Sequence, residues 1–250
     1  MKIGIDVGGT KTEGILIDNS GKELARNRIK TEKNYDGTIS GIISIVKEFE
    51  RDFGDSDSVG IGMPGAVSSE TALVKNANSI WLNGKPFKKD LEKKLYRRVN
   101  LANDANCFAL SEAVDGAGKG HTVVFGVIIG TGTGGGISVN QKVLAGKNNI
   151  AGEWGHVSLP NRSDDEKKYV KQCYCEKSGC METYVSGPGF ASCFNLKHNT
   201  NYDSHAILEE FNNNEKRAID ALDNYVDHLA RGLSLVCNIL DPDIIVLGGG

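Results

Sequence analysis

Apolar and polar positions change period several times along this chain, and the changes mark its elements. Lys2–Asp6 alternates as a strand does, and Val7-Gly8-Gly9-Thr10-Lys11 makes a tight turn after it. Glu13–Asp18 is the next predicted strand, Asn19-Ser20-Gly21 a hairpin turn, and Lys22–Lys30 a third strand. Ile39, Ile42, Ile43, Val46 and Phe49 then recur at helical spacing and define one apolar face. Ser58–Gly62 reads as a fourth strand ending in Met63-Pro64-Gly65. Phe87–Arg97 is a charged amphipathic helix, Val99–Ala102 a short strand, and Asp104–Val114 another helix.

The pattern then starts again. A shift of 122 residues carries Gly4 onto Gly126, Gly8 onto Gly130, Gly14 onto Gly136 and Ile15 onto Ile137 without a gap. Val123–Ile129 is a strand, Gly130–Gly135 the matching glycine turn, Gly136–Asn140 a strand, and Val143-Leu144 follows a turn at Gln141-Lys142. The shared order of strand, turn and strand predicts a duplication. In the second copy a long segment is inserted before the helix Glu215–Leu240, which carries Ile219, Leu222, Val226, Leu229, Leu233 and Val236 on one face and stops at Asp241-Pro242. Ile244–Leu247, followed by Gly248-Gly249-Gly250, matches Ser58–Gly65. The expectation is an α/β chain of two copies, 1–118 and 119–250, each a mixed sheet flanked by helices. The first copy runs on for about fifty residues after its fourth strand and the second does not, so the second is expected to lack its closing elements.

Composition narrows the class. The 250 residues are 39% hydrophobic and 24% charged with a net charge of −3, which gives no electrostatic footprint for nucleic acid or a membrane surface. The longest apolar runs are too short to span a bilayer. The chain enters a strand at once, leaving no room for a signal peptide, and its six cysteines do not form a disulfide framework. Cys107 and Cys237 fall on helix-like segments and Cys193 in a loop. These features predict a cytoplasmic protein.

The inserted segment holds the densest chemistry. His156, Cys173, Cys175 and Cys180 form a complete set of soft ligands for one tetrahedral zinc, although three reduced thiols in a loop would look the same. Glu153 and Glu182 are interleaved with them, so a bound metal would fix both carboxylates. Elsewhere, two glycine turns in register, Gly8-Gly9 and Gly132–Gly136, leave backbone N–H groups open to phosphate oxygens. Asp6, just before the first turn, is placed to hold Mg²⁺ through water.

Asp6-Val7-Gly8-Gly9-Thr10-Lys11, Gly130-Thr131-Gly132-Thr133-Gly134-Gly135-Gly136 and Gly248-Gly249-Gly250 resemble the two phosphate motifs and the adenosine motif of the sugar-kinase, actin-like ATPase fold, with its duplicated ribonuclease-H-like domains. Glu153-x-Gly-His156 and Cys-x-Cys-x₄-Cys-x-Glu182 narrow the resemblance to the ROK group of sugar kinases and sugar-responsive repressors. Lys75–Gly84 together with Leu101–Cys107 looks closest to the fructokinase (mannokinase) branch, with N-acetylglucosamine kinases next. The resemblance implies a homodimeric, ATP-dependent hexose kinase that uses Mg²⁺ with ATP and a structural zinc.

Position by position, the resemblance makes Asp104 the general base, with a helix N-cap as its plainer alternative. It implies sugar contacts at Gly65, Asn78, Asn103, Asp104, Glu153, His156 and Glu182. It implies nucleotide contacts at Asp6, Gly8, Gly9, Thr10, Lys11, Gly130, Thr131, Gly132, Thr133, Gly134, Gly248 and Gly249. Trp81 is expected to pack rather than to carry a sugar, and Asn78 alone reads equally as a turn cap. Glu176 stands where the group usually has glycine, so a positive φ there would store modest strain. A DNA-binding repressor is disfavoured because no helix-turn-helix precedes the first strand and the charge is negative. A zinc-stabilised binder without catalysis would need no base beside phosphate turns.

Overall fold

The computed structural model describes residues 1–249, so the expectation for Gly250 lies outside the described residues. Two compact units are present: Met1–Cys107 with Ala145–Ile150, and Phe108–Leu144 with the residues from Ala151 onward.

In the first unit, β1 (Lys2–Val7), β2 (Lys11–Ile17) and β3 (Glu23–Lys30) form an antiparallel meander. α1 (Tyr35–Phe53) follows, capped by the Asn34 side chain on the Gly37 N–H. β4 (Ser58–Met63) returns parallel to β1, because a helix lies between them. β5 (Ala66–Val67) and β6 (Val74–Lys75) make a small hairpin, and a 3₁₀ turn covers Ile80–Leu82. α2 (Phe87–Leu95) ends two residues earlier than its charge pattern suggests, because Tyr96 adopts a left-handed conformation. β7 (Val99–Asn103) adds to β4, giving the order β3-β2-β1-β4-β7, and α3 (Asp104–Val114) starts directly from it. The alternation that marks these strands puts Ile3, Ile5, Val7, Leu16, Val59 and Ile61 into one core against Ile39, Ile42, Ile45 and Val46. Trp81 packs on that core and its indole N–H donates to Thr38 Oγ1 at 3.0 Å, so it is a packing residue.

The second unit repeats the plan. β8 (Val123–Ile129), β9 (Thr133–Val139) and β10 (Lys142–Val143) form a meander, and β11 (Ile244–Gly249) lies parallel to β8 in the order β10-β9-β8-β11. Lys2 faces Ser58 in the first sheet and Val124 faces Ile244 in the second: the first strand keeps the 122-residue shift, and its parallel partner lies further on because of the inserted segment. The meander differs by one step: Gly4 faces Ile15, whereas Gly126 faces Gly136.

Two glycine runs expected as turns are strands. Gly134–Gly136 belong to β9. A Cβ at Gly135 would sit 2.5 Å from the Trp154 ring and 2.8 Å from the Gly152 carbonyl, so these glycines admit the inserted segment against the sheet. Gly248 and Gly249 pair with Ile128 and Ile129, and a Cβ on Gly248 would meet the Phe108 ring at 2.5 Å.

The inserted segment contains more helix than its sequence shows: α4 (Asp164–Lys168), α5 (Glu182–Val185), α6 (Gly187–His198) and α7 (Ser204–Asn212) precede α8 (Lys216–Leu240). Cys193, expected in a loop, is on α6. Among the described residues, no helix is long and apolar enough to cross a membrane.

Candidate active site and metal centre

At the carboxyl ends of the parallel strands in the first unit, Asp6 faces Gly62 and Met63 faces Asn103, which brings Asp6 and Asp104 to one edge of the sheet. Asn103, not Asp104, caps α3: its Oδ1 accepts from the Ala105 and Asn106 N–H groups, and its Nδ2 donates to the Gly65 carbonyl at 3.1 Å. Asp104 is the first helical residue, and its carboxylate accepts from the Ala105 N–H at 2.8 Å. It opens to solvent on one side while protein crowds the rest. Desolvation raises its pKa above the ordinary aspartate value, and the charge of Asp6 adds to the rise against the opposing Ala105 N–H. Asp6 is raised too, by desolvation and then by Glu13. Raised in this direction, each carboxylate holds a proton more readily than an ordinary aspartate, which suits a group that has to accept one. They also give an oxygen donor set that fits Mg²⁺, whose charge would oppose that of a triphosphate.

Gly65 can only be glycine. Its φ is +76°, and a Cβ would lie 2.5 Å from the Lys75 carbonyl and 2.6 Å from the Ala77 nitrogen. This close approach joins the β5–β6 hairpin to the segment bearing Asn78, whose side chain is exposed.

The β1–β2 turn is closed by the Gly8 N–H donating to the Lys11 carbonyl at 2.9 Å, and Thr31 Oγ1 donates to the Gly8 carbonyl at 2.8 Å. The Gly9 and Thr10 N–H groups are left at its apex without an acceptor among the described residues. In the second unit the Gly130 N–H is spent on the Gly132 carbonyl, and the Thr133 N–H donates to Glu182 Oε2 at 3.1 Å. Of the positions expected to hold phosphate there, Thr131 and Gly132 therefore keep N–H groups without an acceptor among the described residues. Gly134 instead offers its carbonyl to the Trp154 indole at 2.8 Å. The Thr133–Glu182 bond is a contact that spacing did not suggest, because 49 residues separate the pair.

The zinc ligands come together as expected: the donor atoms of His156, Cys173, Cys175 and Cys180 all lie within 4.8 Å of one another. Cys173 Sγ is 3.6 Å from His156 Nδ1 and Cys175 Sγ is 3.5 Å from Cys180 Sγ. A tetrahedral zinc would separate sulfur from nitrogen by about 3.6 Å and sulfur from sulfur by about 3.8 Å, so the set fits. Two short antiparallel pairings hold it, with Leu159 and Met181 N–H groups bonding the Gly179 and Val157 carbonyls, and Cys173 N–H bonding the Lys177 carbonyl. Burial pushes the Cys173 thiol up and Cys180 up to about 12, so a cation is what would let all three sulfurs ionise together. Glu176 does take a positive φ, +68°, beside Cys175.

His156 has a second polar neighbour besides the sulfurs. Its Nδ1 lies toward the sulfurs, and its Nε2 shares a hydrogen bond of 2.8 Å with Tyr174 Oη, on the side away from the ligand sulfurs. Tyr174 lies between two of the ligand cysteines, and its place as the histidine's partner was invisible without the fold. Burial, Glu182 and the nearby sulfurs raise its pKa, so it stays a phenol. Behind the cluster, Glu166 accepts from His228 at 2.8 Å and from the Arg231 guanidinium, and its own backbone belongs to the Ser163 capping box of α4.

The sequence pattern of the ROK family matches residues 2–250. The chain is 37% identical to an N-acetyl-D-glucosamine kinase of Pectobacterium atrosepticum over all of its own length and 84% of that protein. It is 38% identical to one of Escherichia coli O127:H6, with the same coverage. A ROK hexokinase structure from Thermus thermophilus superposes with a TM-score of 0.86 at 26% identity, over 99% of this chain and 81% of that one. A ROK glucokinase of Streptomyces griseus, solved with glucose and AMPPNP, gives 0.81 at 28% identity over 100% and 83%.

Proposed function

The chain belongs to the ROK family, and from that premise we propose that this sugar kinase phosphorylates N-acetyl-D-glucosamine with ATP. The observation that carries the choice of sugar is whole-chain identity of 37% to 38% with kinases of that name. The fructose preference implied by Lys75–Gly84 has no matching support, and the second-ranked N-acetylglucosamine reading replaces it.

Asp104 acts as the base. As the sugar hydroxyl oxygen attacks the γ-phosphorus, its proton passes to the Asp104 carboxylate. The bond from phosphorus to the β–γ bridging oxygen breaks, and ADP leaves with the electron pair. The Gly9, Thr10, Thr131 and Gly132 N–H groups are donors for phosphate oxygens. Asn78, Asn103, Glu153, His156 and Glu182 are the candidates for sugar hydroxyls. Asp6 would hold Mg²⁺ through water, and the zinc held by His156, Cys173, Cys175 and Cys180 would supply rigidity to the segment bearing Glu153 and Glu182.

A coupled assay of ADP release with N-acetylglucosamine, fructose, glucose and mannose tests the reading. N-acetylglucosamine is expected to give the highest kcat/KM. A clear preference for fructose would restore the other ranking, and no turnover with any of them would refute the proposal.

A further inference from the structure

Ser79 is 2% exposed, and its Oγ has no hydrogen-bond partner among the described residues. Buried hydroxyls are almost always paired, so an orphan calls for an explanation. The residues on either side of it are themselves tied down. The Asn83 amide grips Ala77 at both N–H and carbonyl at 2.9 Å, Leu82 is fully buried, and the Trp81 indole is tied to Thr38. Ser79 occupies the capping position of the 3₁₀ turn Ile80–Leu82, yet its side chain makes no cap bond. The hydroxyl is buried in the fold and bonds to nothing among the described residues.

Its neighbour is the β1–β2 turn. A Cβ built on Gly9 would lie 3.6 Å from Ser79 Oγ, ordinary contact distance. Thr31 and Thr12 close the turn from another direction, with their hydroxyls 2.8 Å apart and Thr31 Oγ1 donating to Gly8, so those hydroxyls are spent. What remains at the apex is donors: the Gly9 and Thr10 N–H groups and the Ser79 O–H. The two N–H groups can only donate and the hydroxyl can turn its proton the same way, a set that suits an anionic oxygen.

We propose that Ser79 is a substrate-positioning residue whose hydroxyl donates to an oxygen of the phosphoryl group being transferred. The proposal rests on the kinase reading above, and it adds a residue that no motif marks.

The test compares the full chain with Ser79→Ala and Ser79→Cys. Loss of a hydrogen bond to a charged oxygen is expected to lower kcat/KM for ATP by about 10- to 100-fold in Ser79→Ala, with the KM for N-acetylglucosamine unchanged. Ser79→Cys, a weaker donor, is expected to fall between. The ligand-free melting temperature of Ser79→Ala is expected to stay level or rise, because an unpaired buried hydroxyl has been removed. A purely structural serine would instead lower the melting temperature and move both substrates alike, and that result overturns the proposal. So does unchanged kcat/KM for ATP. If the wild-type chain turns over no sugar, the kinase reading fails separately. Calorimetric binding of tripolyphosphate then decides Ser79: weaker binding by Ser79→Ala upholds it, and equal binding or none by either chain overturns it.

Discussion

Gly155→Ala adds a single methyl group between Glu153 and His156. Its Cβ would lie 2.0 Å from the Thr133 carbonyl oxygen and 3.0 Å from the carbonyl carbon, both backbone atoms of β9. That is about 1.4 Å inside ordinary contact, so one of the two chains has to move. Neither moves easily. Thr133 pairs with Ile129 in the sheet and donates to Glu182, while Trp154 is bonded to Gly134 and packed edge-on against Phe125. On the other side, Val157 and Leu159 are bonded to Met181 and Gly179. Overpacking of this kind costs about 1–3 kcal/mol. At roughly 2–4 °C per kcal/mol for a chain of this size, the melting temperature should fall by about 2–12 °C. The turn that yields carries His156 and Glu153, and a displacement near 1 Å of a positioned group can cost about 10²-fold in turnover. Thermal unfolding, zinc content and kcat/KM for N-acetylglucosamine would be measured beside Gly60→Ala. At Gly60 a Cβ meets nothing nearer than 4.0 Å, so that variant should be close to neutral. An unshifted melting temperature with normal kcat/KM in Gly155→Ala would refute the claim that this turn is set by backbone contact with β9.

Other outcomes follow from single groups. Because Asp104 must be ionised to accept a proton and its pKa is raised, the acid limb of kcat should lie above the ordinary aspartate range; Asp104→Asn should lose about 10²–10⁴-fold in kcat and that limb with it, as steady-state rates against pH would show. Chelation or Cys175→Ala should release the metal and weaken sugar binding more than ATP binding, and absence of zinc by elemental analysis of chelator-free protein would sink the metal assignment. Glu176→Gly should gain about 1 kcal/mol by relieving the left-handed conformation, read as a higher melting temperature. Although burial opposes its ionisation, Glu166 is held at about 2 by Arg231, the Ser163 N–H and His228. Its folded pKa is depressed, so it contributes about 2–3 kcal/mol above the unfolded value near 4.5, lost as pH falls toward 2, and Glu166→Gln should flatten that part of a stability–pH curve.

Period and glycine placement in the sequence by itself determined the order of the main elements, the duplication and the ligand set. Alternation over Lys2–Asp6 and helical spacing from Ile39 to Phe49 are local properties, set by which face each residue must bury, and they appear in the fold within a few residues. The ligands were legible because histidine and three cysteines so close in sequence have few other uses, and the positive φ of Glu176 followed from the residue it replaces. Only the tertiary structure decided what the glycines are for. Gly134–Gly136 and Gly248-Gly249 read as turns, yet they are strand residues that let Trp154 and Phe108 approach the sheet, and a missing side chain looks the same in either role. The segment between Thr183 and Asn214 showed no usable period, and three of its helices stayed hidden; α6, for instance, buries Phe190, Ala191 and Phe194, with glycine and proline in its first turn. The partners of site residues were equally out of reach. Asn103 rather than Asp104 capping α3, Glu182 on the Thr133 N–H, Tyr174 on His156 and the unpaired hydroxyl of Ser79 against Gly9 all depend on where separate stretches of chain meet. Hydrogen bonds require distances within a few tenths of an ångström, and those are properties of the packed chain rather than of residue type.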